Sequence, residues 1–297
     1  MLAPSPIEPR AAGPCRREET EPAIVHAGRS SSVVDAPIAI DVMGLPLRRL
    51  TLDQLIDGLV RRARAGICTT VCYANAHTVN LAWRDAAYFQ TLAACDWLFA
   101  DGQSVVWASR GRTPSLPERV TAADYFPRLA RRCAADGVRL YLLGGAPGIV
   151  DRAAQRQRAA WPGLQIVGAH HGYFRPDESE RRIADINTAR PDMLLVGMAS
   201  PRQETWLAEH RNALDVPVRW CVGALFDYLA GVEARAPRWL CRMGGEWLFR
   251  LAADPAGKWR RYLIGNPRFV WNAVRWRLFG ARPQAGEMAA APGGTAA

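Results

Sequence analysis

Apolar positions along this chain follow two rhythms, and the alternation between them outlines a fold. Over residues 50–65 they fall at Leu52, Leu55, Ile56, Leu59 and Val60, the three-and-four spacing of one helix face. Residues 69–74, 97–100, 138–143, 165–168, 192–197 and 220–223 are instead short, nearly unbroken apolar runs. Runs of that length, closed by Gly, Asn or Asp, predict strands buried on both faces, and residues 38–42 read as a further strand. Helical patterns occupy the intervals at 78–94, 104–109, 149–161, about 178–189 and 202–211. Strands alternating with helices predict an α/β, Rossmann-like layered fold with a largely parallel sheet flanked by helices.

The ends lack either rhythm. Residues 1–36 are rich in Pro, Ser, Arg and Glu, and 284–297 are nearly all Ala, Gly, Pro and Thr. Neither end buries enough apolar surface to offset the entropy of ordering, so both are expected to be disordered tails. The expected organisation is a core over 37–234 and a basic helical C-terminal appendage over 235–283. In that appendage Arg235, Arg238, Arg250, Lys258, Arg260, Arg261 and further arginines face only Glu246 and Asp254, with five tryptophans interleaved.

Composition narrows the class. The 297 residues are 49% hydrophobic and 22% charged, ordinary for a globular protein. No stretch has the pattern of a signal peptide, and no run approaches the roughly 20 apolar residues of a membrane span. Seven scattered cysteines without a C-x-x-C pair predict mostly reduced thiols, a cytoplasmic setting and no zinc site. The net charge of +10 points to an anionic partner. Interleaved Arg and Trp suit stacked bases and phosphates, an interfacial helix pair on anionic lipid, or a solvated basic face.

Ligands of parallel α/β sheets bind at the carboxyl ends of the strands, so four loops carry the candidate chemistry. Asp101 ends an apolar run and precedes Gly102. An aspartate there commonly caps a helix; within reach of a hydroxyl it is also a general base. Gly144 and Gly145 open a Gly-Gly-Ala-Pro-Gly loop that serves either a tight turn or phosphate contact through backbone N–H groups. It has neither the G-x-G-x-x-G spacing of a dinucleotide site nor the G-K-[ST] of a P-loop, which disfavours a nucleotide-binding oxidoreductase. Gln203 and Glu204 open another helix, and Asn75 with His77 ends the first of the buried runs. The histidines have no metal-ligand spacing, and no D-x-D triplet occurs. A sugar-nucleotide enzyme built this way would steady its leaving group with cations or helix dipoles.

Several segments in order resemble the WecG/TagA/CpsF family of glycosyltransferases (glycosyltransferase family 26). They include Asn75 with Val79-Asn80-Leu81-Ala82, Ala100-Asp101-Gly102-Gln103, Glu118-Arg119-Val120-Thr121, Leu142-Leu143-Gly144-Gly145 and Pro201-Arg202-Gln203-Glu204-Thr205-Trp206. Val222-Gly223-Ala224-Leu225-Phe226-Asp227, Arg235-Ala236-Pro237-Arg238-Trp239, Glu246-Trp247-Leu248-Phe249-Arg250 and Trp259-Arg260-Arg261-Tyr262 complete the series. Tyr73 departs from it, standing where many members carry a small hydroxyl residue.

The resemblance implies metal-independent, inverting transfer of a sugar, without a cofactor. The donor would be a UDP-sugar and the acceptor a sugar on undecaprenyl diphosphate, in cell-surface or extracellular polysaccharide synthesis. It implies Asp101 as base, and Asn75, Gln203, Asp227, Gly144, Gly145 and Arg119 as substrate contacts. Arg235, Arg238, Arg260 and Arg261 would meet the diphosphate and the inner leaflet of the cytoplasmic membrane. It turns the basic segment from nucleic acid toward lipid, and leaves room for a homo-oligomer. A non-enzymatic basic nucleic-acid binder is the rival reading from charge alone.

Overall fold

The computed structural model describes residues 37–111 and 113–283; both expected tails lie outside the described residues. The chain opens with a hairpin of β1 (Ala39–Val42) and β2 (Leu45–Arg48). A helix α1 (Leu52–Ala65) follows, capped by Thr51 in a reciprocal box with Gln54 and ended by Gly66 in the left-handed region. The sequence pattern gave one strand where there is a hairpin, because Leu45 and Leu47 alternate over too few residues to register.

The main sheet has six strands: β3 (Thr69–Ala74), β4 (Trp97–Ala100), β5 (Arg139–Gly144), β6 (Gln165–His170), β7 (Met193–Gly197) and β8 (Val218–Cys221). Their order is β4-β3-β8-β7-β5-β6, and every pairing is parallel. All residues of β4, β7 and β8 are buried, the reason β4 and β7 are apolar throughout rather than alternating; in β8 Arg219 is the one charged residue and is buried too.

Helices cover both faces. On one side α1, α5 (Ala122–Asp136), α6 (Ile149–Ala160) and α9 (Leu225–Ala230) bury Leu59, Phe126, Ala153 and Phe226 against Val71, Leu142 and Trp220. On the other lie α2 (Ala76–Ala82), α3 (Ala86–Ala93), α4 (Gln103–Ser109), α7 (Ser179–Ala189) and α8 (Arg202–His210). Their Val79, Leu92, Val105, Ile186 and Leu207 pack on Cys72, Leu98 and Val196.

Three local expectations change. Residues 78–94 form two helices, since the Asp85 carboxylate accepts from the Tyr88 N–H and starts α3 as a new N-cap. The amphipathic α5 has no counterpart in the sequence reading. Strand β8 starts and stops two residues earlier than expected, because Gly223 turns into the left-handed region at φ 59°. Of the cysteines, Cys72, Cys95, Cys133, Cys221 and Cys241 are free thiols, whereas Cys68 is disulfide-bonded.

The basic segment is helical: α10 (Arg238–Arg242), α11 (Glu246–Ala253), α12 (Pro255–Trp259), a π-helical turn at Arg260–Ile264, and α13 (Gly265–Phe279). Helix α13 packs along α2, burying Phe269 and Trp276 in the same apolar cluster as Val79. Asn80 donates to the Gly265 carbonyl at 2.7 Å and accepts from Asn272 at 3.3 Å. Among the described residues no helix is long and apolar enough to cross a membrane.

Candidate active site

The ends of β4, β3, β8 and β7 open into a cavity of about 630 Å³ whose opposite wall is supplied by α4, α11 and α13. Asp101 and Asn75 meet there because Ala100 and Ala74 are paired neighbours. The Asp101 N–H is anchored on the Ala74 carbonyl at 2.9 Å. Asn75 caps α2, its Oδ1 accepting from the His77 and Thr78 N–H groups. That cap fixes the amide orientation, so Nδ2 faces outward and donates to Asp101 Oδ2 at 3.2 Å.

Asp101 is not a helix cap. Gly102 holds the N-cap position of α4, and no side chain caps that helix. The carboxylate is therefore left facing the cavity with one neutral donor. Burial pushes its pKa above the ordinary carboxylate value; the Asn75 hydrogen bond and the Arg250 and Arg261 charges pull the other way, and Glu246 adds to the rise. A partly desolvated carboxylate steadied by nearby cations is a stronger base than a free one while remaining ionisable.

The cations form one side of the cavity. Arg119 and Arg250 both pair with Glu246, at 3.3 and 2.8 Å, so the core and α11 are joined through a single carboxylate. Arg250 also lies over the Tyr228 ring, 5.2 Å from its centroid. Arg261 and Arg277 line the same cavity. His77 lies on its rim, and burial with the Arg261 charge pushes its pKa down to about 4, so the imidazole is neutral at pH 7.

The sequence-derived site residues are not all gathered here. Asn75, Asp101, Arg119 and Arg261 line the cavity. Gln203 is fully buried and does not line it. Its Oε1 accepts from the Gly223 N–H at 3.1 Å and its Nε2 donates to Tyr73 and Glu204. Gly144 ends β5 and Gly145 follows it, four strands from Asp101 in the sheet order. At the usual ~4.8 Å strand spacing that is about 19 Å away. A Cβ on Gly144 would lie 2.2 Å from the Gly197 carbonyl oxygen, and the Gly145 N–H donates to that oxygen. These glycines let two strand ends converge.

Asp227 sits on α9 outside the cavity lining, its pKa raised by burial and by Glu233. Arg235 pairs with Asp124, and Arg260 lies over the Trp259 ring; neither lines the cavity. The Arg238 side chain lies outside the described residues. Ser200, in the strand-end loop at 200–204, lines the cavity as well, while the sequence reading missed Tyr73, Tyr228, Glu246 and Arg250 as lining residues. For the last pair a signal was present: Glu246 and Arg250 are one helical turn apart, the spacing of an intrahelical ion pair. Among the described residues no group of three or more His, Cys, Asp and Glu is arranged to hold a metal ion.

A strand-end carboxylate opposite several arginines suits transfer from an anionic donor, and comparison with known families decides which. The model of the Glycosyl transferase WecG/TagA/CpsF family matches residues 40–283. The chain belongs to that family. It is a glycosyltransferase of cell-surface polymer synthesis, with a nucleotide-sugar donor and a lipid-linked acceptor in general terms. The match runs through α13, so this WecG/TagA/CpsF protein carries its basic helices within the family region.

Proposed function

We propose that the protein transfers a sugar from a UDP-sugar to a monosaccharide on undecaprenyl diphosphate, with inversion and without a metal. The observation that carries this reading is the Asp101 carboxylate, uncapped and facing a cavity whose far wall holds Arg119, Arg250 and Arg261. The acceptor hydroxyl gives its proton to Asp101 and its oxygen attacks the anomeric carbon. The bond from that carbon to the diphosphate breaks on the opposite side, and UDP leaves as an anion beside the arginines. One displacement inverts the anomeric centre.

Access to a lipid-linked acceptor is supported by the outer surface of the basic helices. Trp239, Leu263, Trp271, Leu278 and Phe279 are exposed there among arginines, the composition of an interfacial surface on anionic lipid. The protein on this reading is peripheral on the cytoplasmic face of the inner membrane. The test is a panel of UDP-sugars offered with a synthetic polyprenyl-diphosphate monosaccharide, with product stereochemistry read by NMR. Transfer with inversion in the presence of a chelator supports the reading. No transfer from any UDP-sugar, or retention of configuration, rejects it.

A further inference from the structure

Between the ends of β3, β7 and β8 lies a hydrogen-bonded chain whose direction the backbone fixes. The Gly223 N–H can only donate, and it donates to Gln203 Oε1 at 3.1 Å. The other end of that amide is therefore NH₂. It donates to Glu204 Oε1 at 2.7 Å and to the Tyr73 hydroxyl at 3.1 Å. Ser200 Oγ is 2.7 Å from the same Glu204 oxygen. The single Ser200 proton is donated to that Glu204 oxygen, which also receives the Gln203 amide N–H.

This leaves one role for Tyr73. Its hydroxyl accepts from Gln203, and Ser200 has no proton left to give, so Tyr73 is the donor in the 3.4 Å Tyr73–Ser200 contact. That contact is long for a hydroxyl pair, and a better acceptor entering the cavity displaces it. Tyr73 and Ser200 both line the cavity, whereas Gln203 and Glu204 are almost wholly buried. A Cβ on Gly223 would sit 2.6 Å from the Tyr73 hydroxyl oxygen, so glycine at that position keeps room for this hydroxyl.

We propose that Glu204 is a positioning residue. Through Gln203 and Ser200 it turns the Tyr73 O–H into the cavity as a donor to a neutral oxygen of the transferred sugar. The inference rests on the sugar-transfer reading above. The cations that would meet a diphosphate come from the Glu246–Arg277 side, which leaves the Tyr73 side, next to Asp101 and Asn75, for hydroxyl and ring oxygens.

The experiment measures UDP-sugar and UDP affinity by calorimetry, and kcat and KM, on the full-length protein. Tyr73→Phe keeps the ring and removes the donor. It is expected to weaken UDP-sugar binding about fivefold to tenfold, the effect of one hydrogen bond, and to leave UDP affinity unchanged. Glu204→Met removes the acceptor at similar size and gives the same selective loss. The double variant is no worse than either alone. Glu204→Gln, whose carbonyl replaces the acceptor oxygen, restores most of the affinity.

Equal losses for UDP and UDP-sugar, additive effects in the double variant, or an unchanged Tyr73→Phe affinity ratio would overturn the proposal. Tyr73→Phe decides alone should Glu204→Met fail to fold. Wild-type protein that binds UDP-sugars but transfers none counts against the proposed reaction, and the affinity ratio still tests the hydrogen bond.

Discussion

The two walls of the cavity are made in opposite ways. On the sheet side, Asp101, Asn75, Tyr73 and Ser200 end strands or begin helices whose residues are largely buried, and each is held by named hydrogen bonds. On the helical side, α11 has no buried residue, and Arg250, Arg261 and Arg277 project from a layer that exposes Trp271, Leu278 and Phe279. A base needs defined geometry and partial desolvation, which a parallel sheet supplies. A phosphate needs charge within a few ångströms, which long arginines on a surface helix supply with less framework. On the proposed mechanism, bond making falls to the core and leaving-group charge to the basic helices.

Substitutions on each wall should separate these roles. The largest effect is expected for Asp101→Asn, with turnover lowered roughly a hundredfold or more while UDP-sugar binding by calorimetry stays near wild type. Arg250→Met should lower kcat/KM by about ten- to thirtyfold, the loss of a charged hydrogen bond, and weaken UDP itself, which Asp101→Asn does not. Trp271→Glu with Leu278→Glu should reduce cosedimentation with anionic vesicles about tenfold and leave transfer to a short-chain soluble acceptor unchanged. Loss of both would merge the surface with the catalytic wall. Glu246→Gln should have the smallest effect, below ~1 kcal/mol in stability for a partly exposed pair, read as a slight fall in Tm.

The sheet wall was the more legible of the two in sequence. Unbroken apolar runs gave the strands, and polar residues at their ends gave Asn75 and Asp101. Sequence could not say whether Asp101 caps α4, because that turns on which residue has the extended backbone; here it is Gly102. Nor could it rank the strand-end loops by distance, since strand order is a tertiary fact: the conspicuous glycines at the end of β5 lie far from Asp101 because β3, β8 and β7 intervene. Gln203 was visible as a polar residue at a helix start, and its full burial was not. On the helical side, charge density was plain, but which arginine turns inward depends on docking of α11 and α13. Arg250 lines the cavity where Arg235 and Arg260 do not.

The joint claim, that a core carboxylate acts as base under the field of arginines from the basic helices, is tested most directly by the pH dependence of kcat/KM. On that claim the ionised Asp101 is the active form, so the rate falls as pH drops through its pKa. The Arg250 charge holds that pKa down and Glu246 holds it up. Arg250→Met should therefore move the acid limb to higher pH and Glu246→Gln to lower pH, and Asp101→Asn should abolish it. A limb that stays in place in both charge variants, or that survives in Asp101→Asn, would contradict the account.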